Sequence, residues 1–151
     1  MDIEQACRIF ASCCNRLDAE ELIGALHDDV RFESQRKWEP MLGKPAVAAW
    51  LRISMRDTGS RETLETSGVL RAELAITQEY PMYSLPPQLV VVFEYSLDIE
   101  CEWSSTVFFK IRDDKISDIH VCIIPPPHTT IRSGIFPGLK LPEREKGDAG
   151  G

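Results

Sequence analysis

The chain predicts an α+β fold in which a curved, mixed or antiparallel β-sheet wraps around N-terminal helices to form a cone with an internal pocket. Three observations carry that expectation. Two helical stretches open the sequence, a short strand leads through a glycine-marked loop into a third helix, and four strand-like runs follow. A sheet of that length has one apolar face to bury, and the helices ahead of it supply the cover.

Each element has its own signal. Ile3, Cys7, Phe10, Cys14 and Leu17 recur at helical spacing, which predicts a helix over 2–16. Asp18 stands ahead of Ala19-Glu20-Glu21-Leu22, an N-cap oxygen before an acidic first turn, and predicts a short second helix ending near Leu26. Val30, Phe32 and Ser34 alternate with Arg31, Glu33 and Gln35, the period-two pattern of a half-buried strand. Gly43 and Pro45 mark the next helix start, with Val47, Trp50, Leu51 and Ser54 as its inner stripe. Leu64, Thr66, Leu70, Ala72, Leu74 and Ile76 alternate around Gly68 and predict one bent strand over 62–78. A proline-punctuated loop with Tyr80 and Tyr83 follows at 79–87.

Gln88–Ser96 and Glu102–Arg112 read as strands, and Asp113-Asp114-Lys115 as a hairpin turn into Ile116–Ile124. Val107, Phe108 and Phe109 interrupt the alternation and leave the inward set there open. Pro125-Pro126-Pro127 ends the sheet, because consecutive prolines remove ladder donors. The domain is therefore expected at 1–127. An extended, partly disordered tail is expected at 128–151, its first half lying across a neighbouring surface and its last ten residues mobile.

Composition narrows the function classes. With 151 residues, 43% of them hydrophobic, the chain can bury one core without staples. Its net charge of −7 sets it against polyanions, so no nucleic acid is expected as a partner. No run approaches the ~20 apolar residues that span a bilayer, and a soluble, cytoplasmic protein without membrane association is expected. Five cysteines, Cys7, Cys13, Cys14, Cys101 and Cys122, form no C-x-x-C pair and read as reduced thiols in or near the core. His27, His120 and His128 are scattered, His27 reading as a helix-end residue; no metal site and no cofactor are expected.

The order of elements, with DDVRFES and EPMLGKPAVAAWL at the first junction and FFKIRDDKISDIHV at the end, resembles the nuclear transport factor 2-like superfamily, also called SnoaL-like or cystatin-like cones. The resemblance covers about residues 3–124 and implies the cone fold and a pocket, while chemistry resides in sites grafted on the fold. Laid over the superfamily's ketosteroid isomerases, Phe10 matches the oxyanion-donating tyrosine, Ser34 the general base, and Val107 falls near the protonated aspartate. All three roles are empty in this chain, which argues against that isomerisation.

The residues expected to line a pocket for a small, largely apolar ligand are Phe32, Ser34, Trp38, Tyr95 and Trp103. Ser34 would donate a hydrogen bond, Trp38 would gate the mouth, and Tyr95 and Trp103 combine broad apolar faces with one polar tip. Arg31, Glu33 and His120 belong to the sheet's other face, where the resemblance implies a homodimer. Two alternatives stand beside ligand binding. One is an isomerase, cyclase or dehydratase using Glu33, Tyr95 or His120; the other is a protein-interaction module using the sheet face and the tail.

Overall fold

A computed structural model describes residues 1–35, 38–58, 69–77, 88–97, 100–122 and 130–139, with side chains described for 1–35, 38–55, 72–76, 106–122 and 131–139. The expectations for Gly68, the 79–87 loop, Pro125 to Pro127 and the last ten residues lie outside these.

Helix α1 spans Ile3–Arg16. Asp2 and Gln5 close a capping box, the Asp2 side chain accepting from the Gln5 amide at 2.8 Å and the Gln5 side chain from the Asp2 amide at 2.8 Å. At its other end Leu17 takes a left-handed conformation, φ 59°, as the C-cap. That conformation turns Leu17 off the apolar stripe, and its side chain is exposed. Helix α2, Glu20–Gly24, starts one residue later than the Asp18 signal suggested, although Asp18 does accept from the Glu20 amide at 3.0 Å. Helix α3, Lys44–Thr58, follows Gly43, whose φ of 91° suits a residue without Cβ. Its buried stripe is Val47, Ala48, Leu51 and Met55, with Trp50 partly buried beside it and Ser54 half exposed.

Among the described residues, seven strands form one sheet in the order β2-β1-β6-β5-β4-β3-β7. They are β1 (Leu26–Ser34), β2 (Met41–Leu42), β3 (Val69–Thr77), β4 (Gln88–Leu97), β5 (Glu100–Arg112), β6 (Lys115–Cys122) and β7 (Thr130–Arg132). Among the described strands β1 and β6 run parallel, and the other pairs are antiparallel. The β5–β6 hairpin turns on Asp113 and Asp114, both with positive φ (53° and 60°), the primed geometry that matches strand twist. His27 lies in β1, not at a helix end. Its Nδ1 accepts from the Asp29 amide at 3.0 Å, so its Nε2–H donates to Asp113 at 3.1 Å.

The core sits between α1, α2 and α3 and one face of the sheet. Phe10, Leu22, Leu26, Val30, Phe32, Leu51, Val107, Phe109, Ile116 and Ile119 are buried there. The Phe10 and Phe109 rings meet edge to face at 5.3 Å. Val107 and Phe109 thus point inward and Phe108, buried outside that cluster, takes the opposite face, which settles the run that broke the alternation. Cys7, Cys13, Cys14 and Cys122 are buried and form no disulfide. Burial pushes the Cys7 thiol up to about 12 and raises Cys13 and Cys14 as well.

Residues 130–139, within the segment assigned above to the tail, form a strap along β3. Ile131 pairs with Ile76 and Arg132 with Ala75, after which Leu74 donates to the Ile135 carbonyl at 3.0 Å. Glu73, 2% exposed, accepts from Arg132 Nε at 2.5 Å and from the Gly134 amide at 2.6 Å. The Asn15 side chain acts as a further strand residue. Its Oδ1 accepts from the Ala72 amide at 2.8 Å, and its Nδ2 donates to the carbonyls of Ala72 and Pro137.

Candidate functional site

Two neighbouring cross-strand rows define the concave face. Phe32, Ile119 and Phe109 form the row nearer the β5–β6 turn, and all three are buried. Ser34, Val121 and Val107 form the next row, continued by the backbone register through Val91 to Leu74. Here burial falls off at one side: Val107 is buried, whereas Ser34 and Val121 are half exposed. The strands carry on past this row, Phe93 pairing with Ala72 and Ser105, then Tyr95 with Leu70 and Glu102.

The floor of this end is aromatic. The Phe32 and Trp50 rings meet at 4.7 Å with planes tilted by 45°, which ties α3 to β1. Met41 pairs with Phe32 through β2 and packs, partly buried, against the core. No ionisable side chain belongs to either described row. Ser34 supplies a hydroxyl at the boundary between packed interior and the half-exposed end, able to donate or accept a hydrogen bond. It has no means of taking up a proton near pH 7 by itself.

The expected liners are distributed as follows. Phe32 and Ser34 occupy adjacent rows of the concave face. Trp38 is fully exposed at 103%, so it covers nothing described. The backbone of Tyr95 lies at the Ser34 end of the sheet, paired with Glu102, while Trp103 is paired with Glu94 beyond a bulge at Phe93/Glu94, so the two are not cross-strand partners. Met41, Trp50 and Val121 were missed as candidates. The spacing of Trp50 from Val47 had placed it on the inner stripe of α3 without making it a liner, and it packs, partly buried, against the core.

The positions matched above to isomerase roles lie as follows. Ser34 and Val107 share one row, and Phe10 packs on Phe109 beneath it. None carries an acid or a base suited to proton transfer, and of the three Ser34 alone has a hydroxyl.

Glu33 and His120 come together, but on the opposite face. They are paired across β1 and β6, with His120 Nδ1 3.2 Å from Glu33 Oε2. Arg31 Nε donates to Glu33 Oε1 at 3.0 Å, and its Nη2 reaches the same oxygen. The Arg31 hydrogen bond, helped by His120, holds the Glu33 carboxyl below its usual range. A separate open groove of about 410 Å³ lies beside α1, bordered by Gln5, Arg8, Ile9 and Asp114. Among the described residues no group of three or more His, Cys, Asp or Glu is placed to hold a metal, and no helix is long and apolar enough to cross a membrane.

No family model matches the chain, and no curated protein does. Solved structures do. A steroid delta-isomerase from Pseudomonas aeruginosa is 17% identical with a TM-score of 0.55, covering 83% of this chain and 81% of that one. A de novo designed protein with a curved β-sheet gives 17% identity and 0.52 over 83% and 89% of the two chains. An NTF2-like protein of unknown function from Cytophaga hutchinsonii gives 15% and 0.52 over 82% and 100%. At these identities the likeness is one of fold. The chain has the nuclear transport factor 2-like, cystatin-like α+β fold, as its order of elements implied.

Proposed function

We propose that this nuclear transport factor 2-like domain binds a small, neutral, largely apolar molecule at the Ser34 end of its concave face. The observation that carries the reading is the end of the Ser34–Val121–Val107 row, where an uncharged wall becomes half exposed directly beside the Phe32–Trp50 ring pair. A flat apolar ligand gains from aromatic contact and from release of water, and one hydroxyl orients it. Tyr95 joins Ser34 as a candidate polar tip, because its backbone register reaches the same end. The reading also includes a homodimer through the outer sheet face and a reducing, cytoplasmic setting, the latter favoured by four buried cysteines that form no disulfide. Isomerase chemistry is disfavoured by the empty catalytic positions, and the Glu33–His120 pair lies on the far side of the sheet.

Trp50 provides the test. A Trp38→Phe/Trp103→Phe variant keeps Trp50 as the sole tryptophan, and its emission is followed during titration with 2-naphthol, progesterone and, as a charged counterpart, 2-naphthoate. The reading expects a saturable change with a neutral probe, weakened by Ser34→Ala, and a weaker response to the carboxylate. Flat emission with every neutral probe would reject it.

A further inference from the structure

The strap pairs with β3 along one side and turns its other side outward, and β3 shows which backbone groups go where. Ala72 exchanges both of its backbone bonds with the Asn15 side chain. Leu74 accepts from the Ser133 amide at 3.2 Å and donates to the Ile135 carbonyl at 3.0 Å. Backbone groups alternate sides along a strand, so Ile76, two residues further on, also turns its amide and carbonyl toward the strap. Its cross-strand partner is Ile131. Ile131 therefore directs its backbone bonds to β3, whereas Thr130 and Arg132, one position to either side, direct theirs to the outer edge. In the strand order β7 stands last, and residues 131–135 are exposed in an unbroken run.

The side chains at this edge suit a second copy of the chain. Ile76 shares the face of Ala72 and Leu74, which belong to the core cluster, so Ile76 and Ile131 form an apolar pair on the concave face. That pair ends in solvent, with Ile131 54% exposed. A net charge of −7 sets copies against one another over most of their surface. Residues 130–139 hold a single charge, Arg132, whose Nε donates to the buried carboxylate of Glu73 in its own copy. Two such edges meet without net repulsion, and an apolar edge strand is a template for antiparallel pairing.

We infer that β7 pairs antiparallel with β7 of a second copy about a two-fold axis at Ile131, which extends one sheet into the other. Thr130 of each copy then lies opposite Arg132 of the other, and the outward amides and carbonyls exchange across the axis. The two Ile131 residues face each other as a non-hydrogen-bonded pair, the closer of the two kinds, and join Ile76 of both copies in one apolar row. Behind Arg132 the chain bulges through Gly134, φ 75°, which confines the match to the three residues of β7. The contact is small, so the dimer forms in a concentration-dependent way. This inference stands apart from the ligand reading and from a dimer through the outer face, neither of which involves Ile131.

Cysteine at Ile131 tests the axis, with the similarly exposed Ile135 as comparison and the unmodified protein as control for native cysteines. A non-hydrogen-bonded pair sets its Cα atoms about 4.5 Å apart, within disulfide range. Ile131→Cys is expected to form covalent dimers under mild oxidation about tenfold faster than Ile135→Cys, since pairing raises the local thiol concentration at the axis alone. A second arm follows sedimentation of Ile131→Lys, Ile131→Glu and their equimolar mixture. Each variant alone is expected to associate less than the unmodified protein, because like charges meet at the axis, and the mixture to regain the association. Cross-linking at 131 no faster than at 135, or association that is the same in the unmodified protein, both charged variants and their mixture, overturns the inference.

Discussion

The turn end and the Ser34 end of the concave face are made from the same strands and finished differently. At the turn end, Phe32, Ile119 and Phe109 are buried, and Phe10 closes over them at 5.3 Å from Phe109. One row further, Ser34 and Val121 are half exposed, and Trp50 leans on Phe32 from α3. On the proposed reading the difference separates stability from function: burial concentrates where the aromatic rings interlock, and the proposed ligand surface begins where that burial declines.

Substitution at the turn end should cost far more folding energy than substitution at the Ser34 end. Phe109→Ala removes a buried ring and its edge-to-face partner, and is expected to lower unfolding free energy by about 3–5 kcal/mol in a denaturant titration. Ser34→Ala should change stability by less than about 1 kcal/mol while weakening probe binding. Equal losses at both positions would erase the contrast.

The strap sharpens it from another side. Glu73→Ala deletes a buried carboxylate that accepts from Arg132 and Gly134, and should lower stability by about 2–3 kcal/mol with faster amide exchange at Gly134 and Ile135. Thr106 offers a change of opposite sign. Its hydroxyl is buried without a hydrogen-bond partner, so Thr106→Val should raise stability by about 1 kcal/mol.

The pH dependence distinguishes interior from outer face. Cys7 has a folded pKa of about 12, above its ordinary 9.0, because burial disfavours the thiolate. Its contribution is whole below pH 9 and is lost as pH rises toward 12, so Cys7→Ala should flatten the alkaline fall in melting temperature. Glu33 behaves in the reverse sense. Its folded pKa is depressed by Arg31, so its contribution is present above the ordinary carboxylate value of 4.5 and lost as pH falls through the depressed one. The pair is solvent-screened, and Arg31→Ala should cost no more than about 1 kcal/mol at neutral pH, less in high salt.

Much of this architecture was legible because it follows periodicity. Ile3, Cys7, Phe10 and Cys14 marked α1, and Val30, Phe32 and Ser34 marked the inward face of β1. The adjacent aspartates at 113 and 114 marked the hairpin. Periodicity fails for short elements, and β2 and β7, two and three residues long, went unread. β7 depends on Glu73, 59 positions from Arg132, a pairing no local pattern encodes. The α3 stripe was displaced because Ala48 and Met55 bury better than the bulkier Trp50 and the polar Ser54. Of the site, Phe32 and Ser34 were readable from strand alternation. Trp38 was not, since a loop side chain has no period to fix its direction, and it stands fully exposed.

Backbone and indole amide shifts of the isotope-labelled protein during a 2-naphthol titration test the central claim most directly. Saturable shifts confined to Phe32, Ser34, Val121 and the Trp50 indole, with Arg31, Glu33 and His120 unmoved, are the predicted result. Shifts centred on the outer face or the α1 groove, or none at all at saturating probe, would contradict a binding site at the Ser34 end.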